Sequence, residues 1–205
     1  MDAAENNSLY SGRSFMGNVT VWTRQVPEML DELEQTGIYR VREDYIRKKN
    51  DTIADYYLQL YRWYTAESRH YLDIPQDAEF PIWFSVSDEF MLQQCPGTVV
   101  LKMEIPREKL LIIDIKRWEY RGNGMYVPVD DADRDRFNQE LERYGIHDET
   151  ALAESEKGNF YPLLRREILQ SWRRLFTMPP EESRTGYATA WELKREWIRE
   201  VYRYE

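Results

Sequence analysis

Four short stretches of this chain carry polar side chains at strand spacing. In "NVTVWTRQ", Arg24 follows Trp22 by two positions, so both project from one face of an extended segment. In "PIWFSVSDE", Trp83, Ser85 and Ser87 alternate with Ile82, Phe84 and Val86 and share one face. "GTVVLKMEI" presents Lys102 and Glu104 together, and "YATAWEL" places Glu192 in phase with Ala188 and Ala190. These residue types suit one kind of chemistry. An Arg fork grips a phosphate through two parallel bonds. A Trp face stacks on a flat ring, and Ser hydroxyls hold a ring amide. A Glu carboxylate stabilises positive charge developing on a sugar. The plainer reading stands beside this one: a charged side chain on a half-exposed strand is ordinarily just solvated.

Other chemistries are poorly served. The chain has no Gly-rich phosphate loop ending in Lys-Ser or Lys-Thr, no G-x-G-x-x-G, no G-x-S-x-G and no H-E-x-x-H. Its one cysteine, Cys95, sits beside Pro96 and Gly97 and reads as a loop or core thiol; no internal disulfide can form, which fits a reducing compartment. The histidines, His70 and His147, both fall at helix-end positions, and no Cys or His pair has zinc-ligand spacing. The formal net charge of -9 opposes a phosphodiester backbone and an anionic membrane, so no membrane partner is expected and nucleic acid is disfavoured, short of a small basic groove. No apolar run approaches the length of a membrane span, and the start lacks a secretory pattern, which makes the cytoplasm the expected location. A small-molecule or protein target remains.

The elements that must position these residues follow from periodicity. Residues 1–17 read as a polar tail, and residues 18–205 as a single domain. "NVTVWTRQ" is the first strand, and "PEMLDELEQTG" is a helix started by Pro27 and stopped by Gly37. "IYRVR" is a short strand. A long helix is expected from Glu43 to Leu72, with Ile53, Tyr56, Tyr57, Leu60, Trp63 and Tyr64 on its core face. "PIWFSV" and "GTVVLKMEI" are strands. "SDEFMLQQ" reads as one or two helical turns with Ser87 as cap, and "LLIIDI", apolar on both faces, as a central strand. "KRWEYRGNGMYVPVD" reads as a loop or hairpin, and "DADRDRFNQELERYG" as a charged helix. "FYPLLRREILQSWRRLF" reads as a second helix with Leu164, Ile168, Trp172, Leu175 and Phe176 buried. "YATAWEL" and "WIREVYRY" close the chain as strands. "EIPREKLLI" echoes "ELKREWIRE" as strand end, charged turn and new strand. Strands and helices mix without regular alternation, so the expected fold is α+β: a small, partly antiparallel sheet with packed helices.

The ordered series "VTVWTRQ", "PIWFSVSDEFML", "TVVLKMEIPREKLLIIDIKRW", "NGMYVPVD", "FYPLLRREILQSWRRLF" and "ATAWELKREWI" resembles a bacterial family of unassigned function, domain of unknown function 3841, over about residues 19–203. That resemblance implies a cytoplasmic protein of bacterial or phage origin and no particular activity. The layout is also similar to ADP-ribosyltransferase-like domains: a first strand with Arg or His, a helix, a strand with an aromatic and Ser-x-Ser, and a late strand with a catalytic Glu. Carried over, this resemblance implies that Arg24 holds the phosphate or ribose of NAD. Trp83 would lie beside the nicotinamide, Ser85 and Ser87 would occupy the Ser-x-Ser place, and Glu192 would be catalytic. The segment before Glu192, "GYATAW", lacks the Glu-x-Glu or Gln-x-Glu pair of such domains.

Three functions therefore stand open: an NAD-using transferase or glycohydrolase, a non-enzymatic ligand- or protein-binding domain, and a nucleic-acid accessory protein. The last rests on the Arg clusters in "RVREDYIRKK" and "LLRREILQSWRRLF", whose interleaved acids fit a solvated face better.

Overall fold

Period-two patterning becomes one six-stranded sheet and a two-stranded ribbon in the computed structural model, which describes residues 17–180 and 186–203. The expected tail, apart from Gly17, lies outside the described residues. The strands of the sheet are β1 (Asn18–Gln25), β3 (Ile82–Ser85), β4 (Val99–Pro106), β5 (Leu111–Asp114), β6 (Gly186–Ala190) and β8 (Ile198–Arg203), in the order β5-β6-β3-β1-β4-β8. Every pairing is antiparallel. The ribbon pairs β2 (Ile38–Tyr39) with β7 (Leu193–Lys194). The helices are α1 (Glu28–Thr36), α2 (Glu43–Asn50), α3 (Ala54–Ser68), α4 (Ile115–Gly122), α5 (Asp131–Arg143), α6 (Thr150–Glu154), α7 (Pro162–Ser171) and α8 (Arg174–Thr177). The fold is α+β.

One sheet face is apolar over most of its area, with Thr23 and Gln25 at the end of β1 as buried polar exceptions. Val21, Phe84, Leu101, Met103 and Ala188 pack there against Met29 and Leu33 of α1, with Tyr39 and Leu193 of the ribbon. Each such buried side chain contributes about 1.5–3 kcal/mol, so this layer fixes the register that orients the other face. The other face is divided. Over β5, β6 and β3 it is roofed by aromatic side chains of α3, α4 and α8, centred on the fully buried Tyr64. The Tyr64 hydroxyl meets Thr189 Oγ1 at 2.9 Å. Over β4 and β8 the same face is charged and solvated, with Lys102 bonded to Glu200 at 2.6 Å and Arg199 to Glu104 at 2.8 Å. Behind the roof, α5, α6 and α7 form a second core around Phe137, Leu152 and Ile168.

Several expectations need correction. "LLIIDI" is an edge strand, not a central one: among the described residues β5 pairs only with β6, and its two faces are buried by other elements rather than by a second neighbour. "KRWEYRG" is helix α4, because the Asp114 carboxylate accepts from the Arg117 N–H at 3.0 Å and caps it. The long helix is split: α2 ends at Asn50, Asp51 takes φ +45°, a short 3-10 turn follows, and α3 begins at Ala54. "SDEFMLQQ" forms no helix but a single hydrogen-bonded turn, Met91 N to Asp88 O at 3.3 Å, flanked by bends. The helix "FYPLLRREILQSWRRLF" breaks after Ser171, whose hydroxyl donates to Ile168 O at 2.7 Å and accepts from Val127 N at 2.9 Å. Its expected stripe is nonetheless buried along its length. The two echoing segments both take the form strand, 3-10 turn, strand.

Candidate functional site

The aromatic roof stops at the seam between β3 and β1, and a cavity of about 300 Å³ opens there. In the antiparallel register Trp22 faces Ser85, and Ser85 faces Tyr187, so these side chains share the divided face. Two residues along each strand, Arg24 and Trp83 join them. Arg24, Trp83 and Ser85 all line the cavity. The opposite wall comes from α2 and α3, with Tyr45, Lys49, Tyr57 and Tyr61, and Trp118 of α4 closes the inner end.

The inner end is a packed aromatic box. The Trp83 and Trp118 ring centroids lie 4.5 Å apart, and Tyr61 sits 6.0 Å from Trp83 and 6.5 Å from Trp118. Tyr187 meets Trp83 edge-on at 5.9 Å. Such a surface accepts a planar ring by offset or edge contact. Two buried polar atoms of the lining have no hydrogen-bond partner: Trp83 Nε1, a donor, and Gln25 Oε1, an acceptor. An unpaired buried polar atom costs about 1–3 kcal/mol, and both atoms lie beneath the cavity surface rather than on it.

The outer end is cationic. No Asp or Glu lines the cavity among the described residues, while Arg24 and Lys49 both do. Lys49 is an exposed residue, yet its ammonium is pushed below the usual lysine value by desolvation and then by the charge of Arg24. Burial raises the Tyr45 hydroxyl, which Arg24 partly offsets, and burial also raises Tyr61 and Tyr187. These phenols stay neutral at physiological pH and serve as walls and donors. Two like charges in one cleft, with no carboxylate in its described lining, give that end a positive local field.

A loop between β3 and β4 overhangs this end. Arg24 Nη1 donates to Gln93 O at 2.9 Å, and Ser85 Oγ donates to Phe90 O at 2.6 Å. Phe90 and Leu92 of that loop line the cavity while remaining 54% and 56% exposed. Arg24 has further N–H donors for a ligand beyond the one that holds the loop.

Ser87 and Glu192 do not join the other candidates. Ser87 lies beyond the end of β3, where the chain leaves the sheet, and its hydroxyl accepts from the Glu89 N–H at 3.2 Å. Glu192 is in phase with Ala188 and Ala190, which face the α1 core, whereas Tyr187 and Thr189 face the cavity side. It also follows the end of β6 that pairs with Ile82, far along the strand from Tyr187. Its carboxylate is held by Arg40 at 3.0 Å, and Arg40 also bonds Asp77 at 2.5 Å. Glu192, to which the ADP-ribosyltransferase-like resemblance gives the catalytic place, is thus not among the residues that line the Arg24 cleft.

Sequence reasoning missed Lys49, Tyr61, Trp118 and Tyr187. Tyr187 alternates with the alanines, and its phase against Ser85 becomes visible only through the pairing of β3 with β6. Trp118 was hidden in a stretch read as a loop, and Lys49 in a helix read as unbroken. Among the described residues, no cluster of His, Cys, Asp or Glu could hold a metal ion, and no helix is long and apolar enough to cross a membrane.

A family model described as a domain of unknown function (DUF3841) matches residues 20–199. No curated protein and no solved structure matches the chain.

Proposed function

The chain belongs to the family of the domain of unknown function DUF3841, and from that premise we propose that it binds a nucleotide-class small molecule, NAD first among them, in the cavity between β1 and β3. The observation that carries this reading is the joining of two cations, Arg24 and Lys49, to an aromatic box in one cleft whose described lining has no carboxylate. Phosphate oxygens would take N–H donors from Arg24 and the Lys49 ammonium. The ring would lie against the cavity-facing surfaces of Tyr61, Trp83 and Trp118. The volume sits at the low end of small-molecule pockets, roughly 300–1,000 Å³. It suits one ring, one ribose and a phosphate, with the rest of a dinucleotide leaving by the mouth.

A second reading, ADP-ribosyltransferase-like consumption of NAD, has one observation in its favour: the first-strand Arg24 and the strand bearing Trp83 and Ser85 meet at this cavity. Breaking the bond between ribose and nicotinamide builds positive charge on the sugar, which a carboxylate would stabilise. Glu192 is occupied elsewhere by Arg40. The binding reading therefore ranks first.

Tryptophan emission tests it, because Trp22, Trp83 and Trp118 line the cavity. Saturable quenching by NAD, ADP-ribose or AMP that is lost in Arg24→Ala supports binding, and no change with any of them removes the proposal. Nicotinamide release on incubation with NAD would promote the second reading over the first.

A further inference from the structure

On the side of the molecule formed by α7 and the turn before it, large apolar side chains and arginines are exposed together. Phe160 is 81% exposed and Leu163 73% exposed. The buried stripe of α7, Leu164, Ile168 and Ser171, leaves Arg166, Leu169 and Gln170 on the outer side. Between that side and α3 runs an open groove of about 620 Å³, with Trp63 and Glu67 on one bank and Arg166, Leu169 and Arg173 on the other.

We propose that this groove and its rim form a docking surface for an acidic protein segment carrying apolar side chains.

The first argument is order. Phe160 is held outward by a tightly built turn. A Cβ on Gly158 would lie 2.1 Å from Leu152 O, so only glycine fits there. The turn is closed by bonds from Gly158 N to Ser155 O, from Tyr161 N to Gly158 O and from Arg165 N to Tyr161 O. Exposure of Phe160 and Leu163 is thus a fixed feature of the backbone. Ordered apolar side chains grouped on a surface mark interaction sites more often than isolated ones do.

The second argument is charge. Several exposed arginines elsewhere are neutralised: Arg136 reaches Asp133, Glu140 and Glu167, and Arg62 reaches Glu43 and Glu79. At the groove three arginines face one carboxylate, that of Glu67. Arg166 has no carboxylate partner among the described residues, and Arg165 is bonded to the neutral Asn159 Oδ1 at 3.0 Å. Arg173, with its side chain 71% exposed, makes one long ion pair of 3.7 Å with Glu67. From Lys157 to Arg174 the sequence has a single acid, Glu167, already paired with Arg136. A locally unbalanced basic face on a chain of net charge -9 selects an acidic partner. Leu163 and Leu169 favour protein over nucleic acid, because aliphatic side chains offer a base neither a stacking plane nor a hydrogen bond, and the overall charge opposes a polyphosphate.

The test uses the full chain and a fluorescein-labelled amphipathic helical peptide with Glu along one face and Leu and Phe along the other. Anisotropy should report saturable binding that weakens as salt rises. Arg166→Glu with Arg173→Glu should weaken it at least about tenfold, and Phe160→Ser with Leu163→Ser comparably. All four positions are exposed, so unchanged thermal melting of the variants checks that the loss is local. The proposal is overturned if the wild-type chain ignores the peptide, or if the charge-reversed variant binds it equally. Preferential binding of a single-stranded oligonucleotide, or self-association by sedimentation that both variants abolish, would overturn it as well.

Discussion

Arg24 donates through Nη1 to the carbonyl oxygen of Gln93 at 2.9 Å, tying the cationic end of the cavity to the loop above it. Ser85 makes the matching tie to Phe90. The side chains best placed to hold a ligand are therefore also those that hold the loop. Removing the Arg24 bond should loosen residues 90–93. In Arg24→Ala, amide hydrogen exchange in that segment should accelerate, with a stability loss of about 1 kcal/mol. Unchanged exchange there would mean that the loop is held by other contacts.

Lys49 gives the site a pH dependence. Its ammonium is held below the ordinary lysine value by desolvation and by Arg24, so it loses its proton earlier than a free lysine as pH rises. Anion binding favours the charged form, so affinity for a nucleotide should be full at neutral pH and fall through the alkaline range. Tyr45, Tyr61 and Tyr187 are shifted upward and do not mask this step. Fluorescence titrations repeated across that range should show the decline in the wild type and a flat profile in Lys49→Arg. An identical decline in both would place the titrating group elsewhere.

The kink between α2 and α3 helps to set where Lys49 stands. Asp51 holds φ +45° and ψ -115°, a backbone region that glycine takes freely and a residue with a Cβ does not. Asp51→Gly should raise stability by about 1 kcal/mol, and Asp51→Val should lower it by at least as much. Thermal melting reads both. A destabilised Asp51→Gly would show that the carboxylate contributes more than the backbone costs.

Asp133 supplies an acid-sensitive fastening of the helical core. Burial pushes its carboxyl up, but the Val129 N–H, the Tyr126 hydroxyl, Arg136 and Arg174 outweigh this and bring it down to about 2 from 3.8. A depressed carboxylate stabilises the fold above its unfolded value and loses that contribution as pH falls through the folded one. The loss is therefore expected between about pH 4 and pH 2, amounting to about 2 kcal/mol. Asp133→Asn should be less stable by that order at neutral pH and converge on the wild type at pH 2. A constant gap at all pH values would assign the effect to packing.

The local signals in the sequence were sound where one face of an element is buried. The alternation in "NVTVWTRQ" and "GTVVLKMEI" and the stripe from Leu164 to Phe176 follow directly from period, and they appear as β1, β4 and the α7–α8 segment. What could not be read was anything set by pairing between distant strands. "LLIIDI" is apolar on both faces whether a strand or a helix covers it, so its composition does not distinguish a central strand from β5 at the edge. Glu192 fell in the right order along the chain, but its phase relative to Ser85 depends on the register Ser85↔Tyr187, which no local pattern records. Arg24, Trp83 and Ser85 were legible because β1 and β3 are neighbours and each carries its polar residues on one face. The helical wall of the site was not, because Asp51 breaks the helix without a glycine or proline to announce it.

Calorimetric titration of NAD into the wild-type chain and into the Arg24→Ala, Lys49→Ala double variant tests the central claim most directly. The account predicts one saturable site in the wild type and an affinity loss of at least about tenfold in the variant, from the removal of two charge-assisted contacts. Equal affinity in both proteins, or no heat from the wild type with NAD, ADP-ribose or AMP, would contradict it.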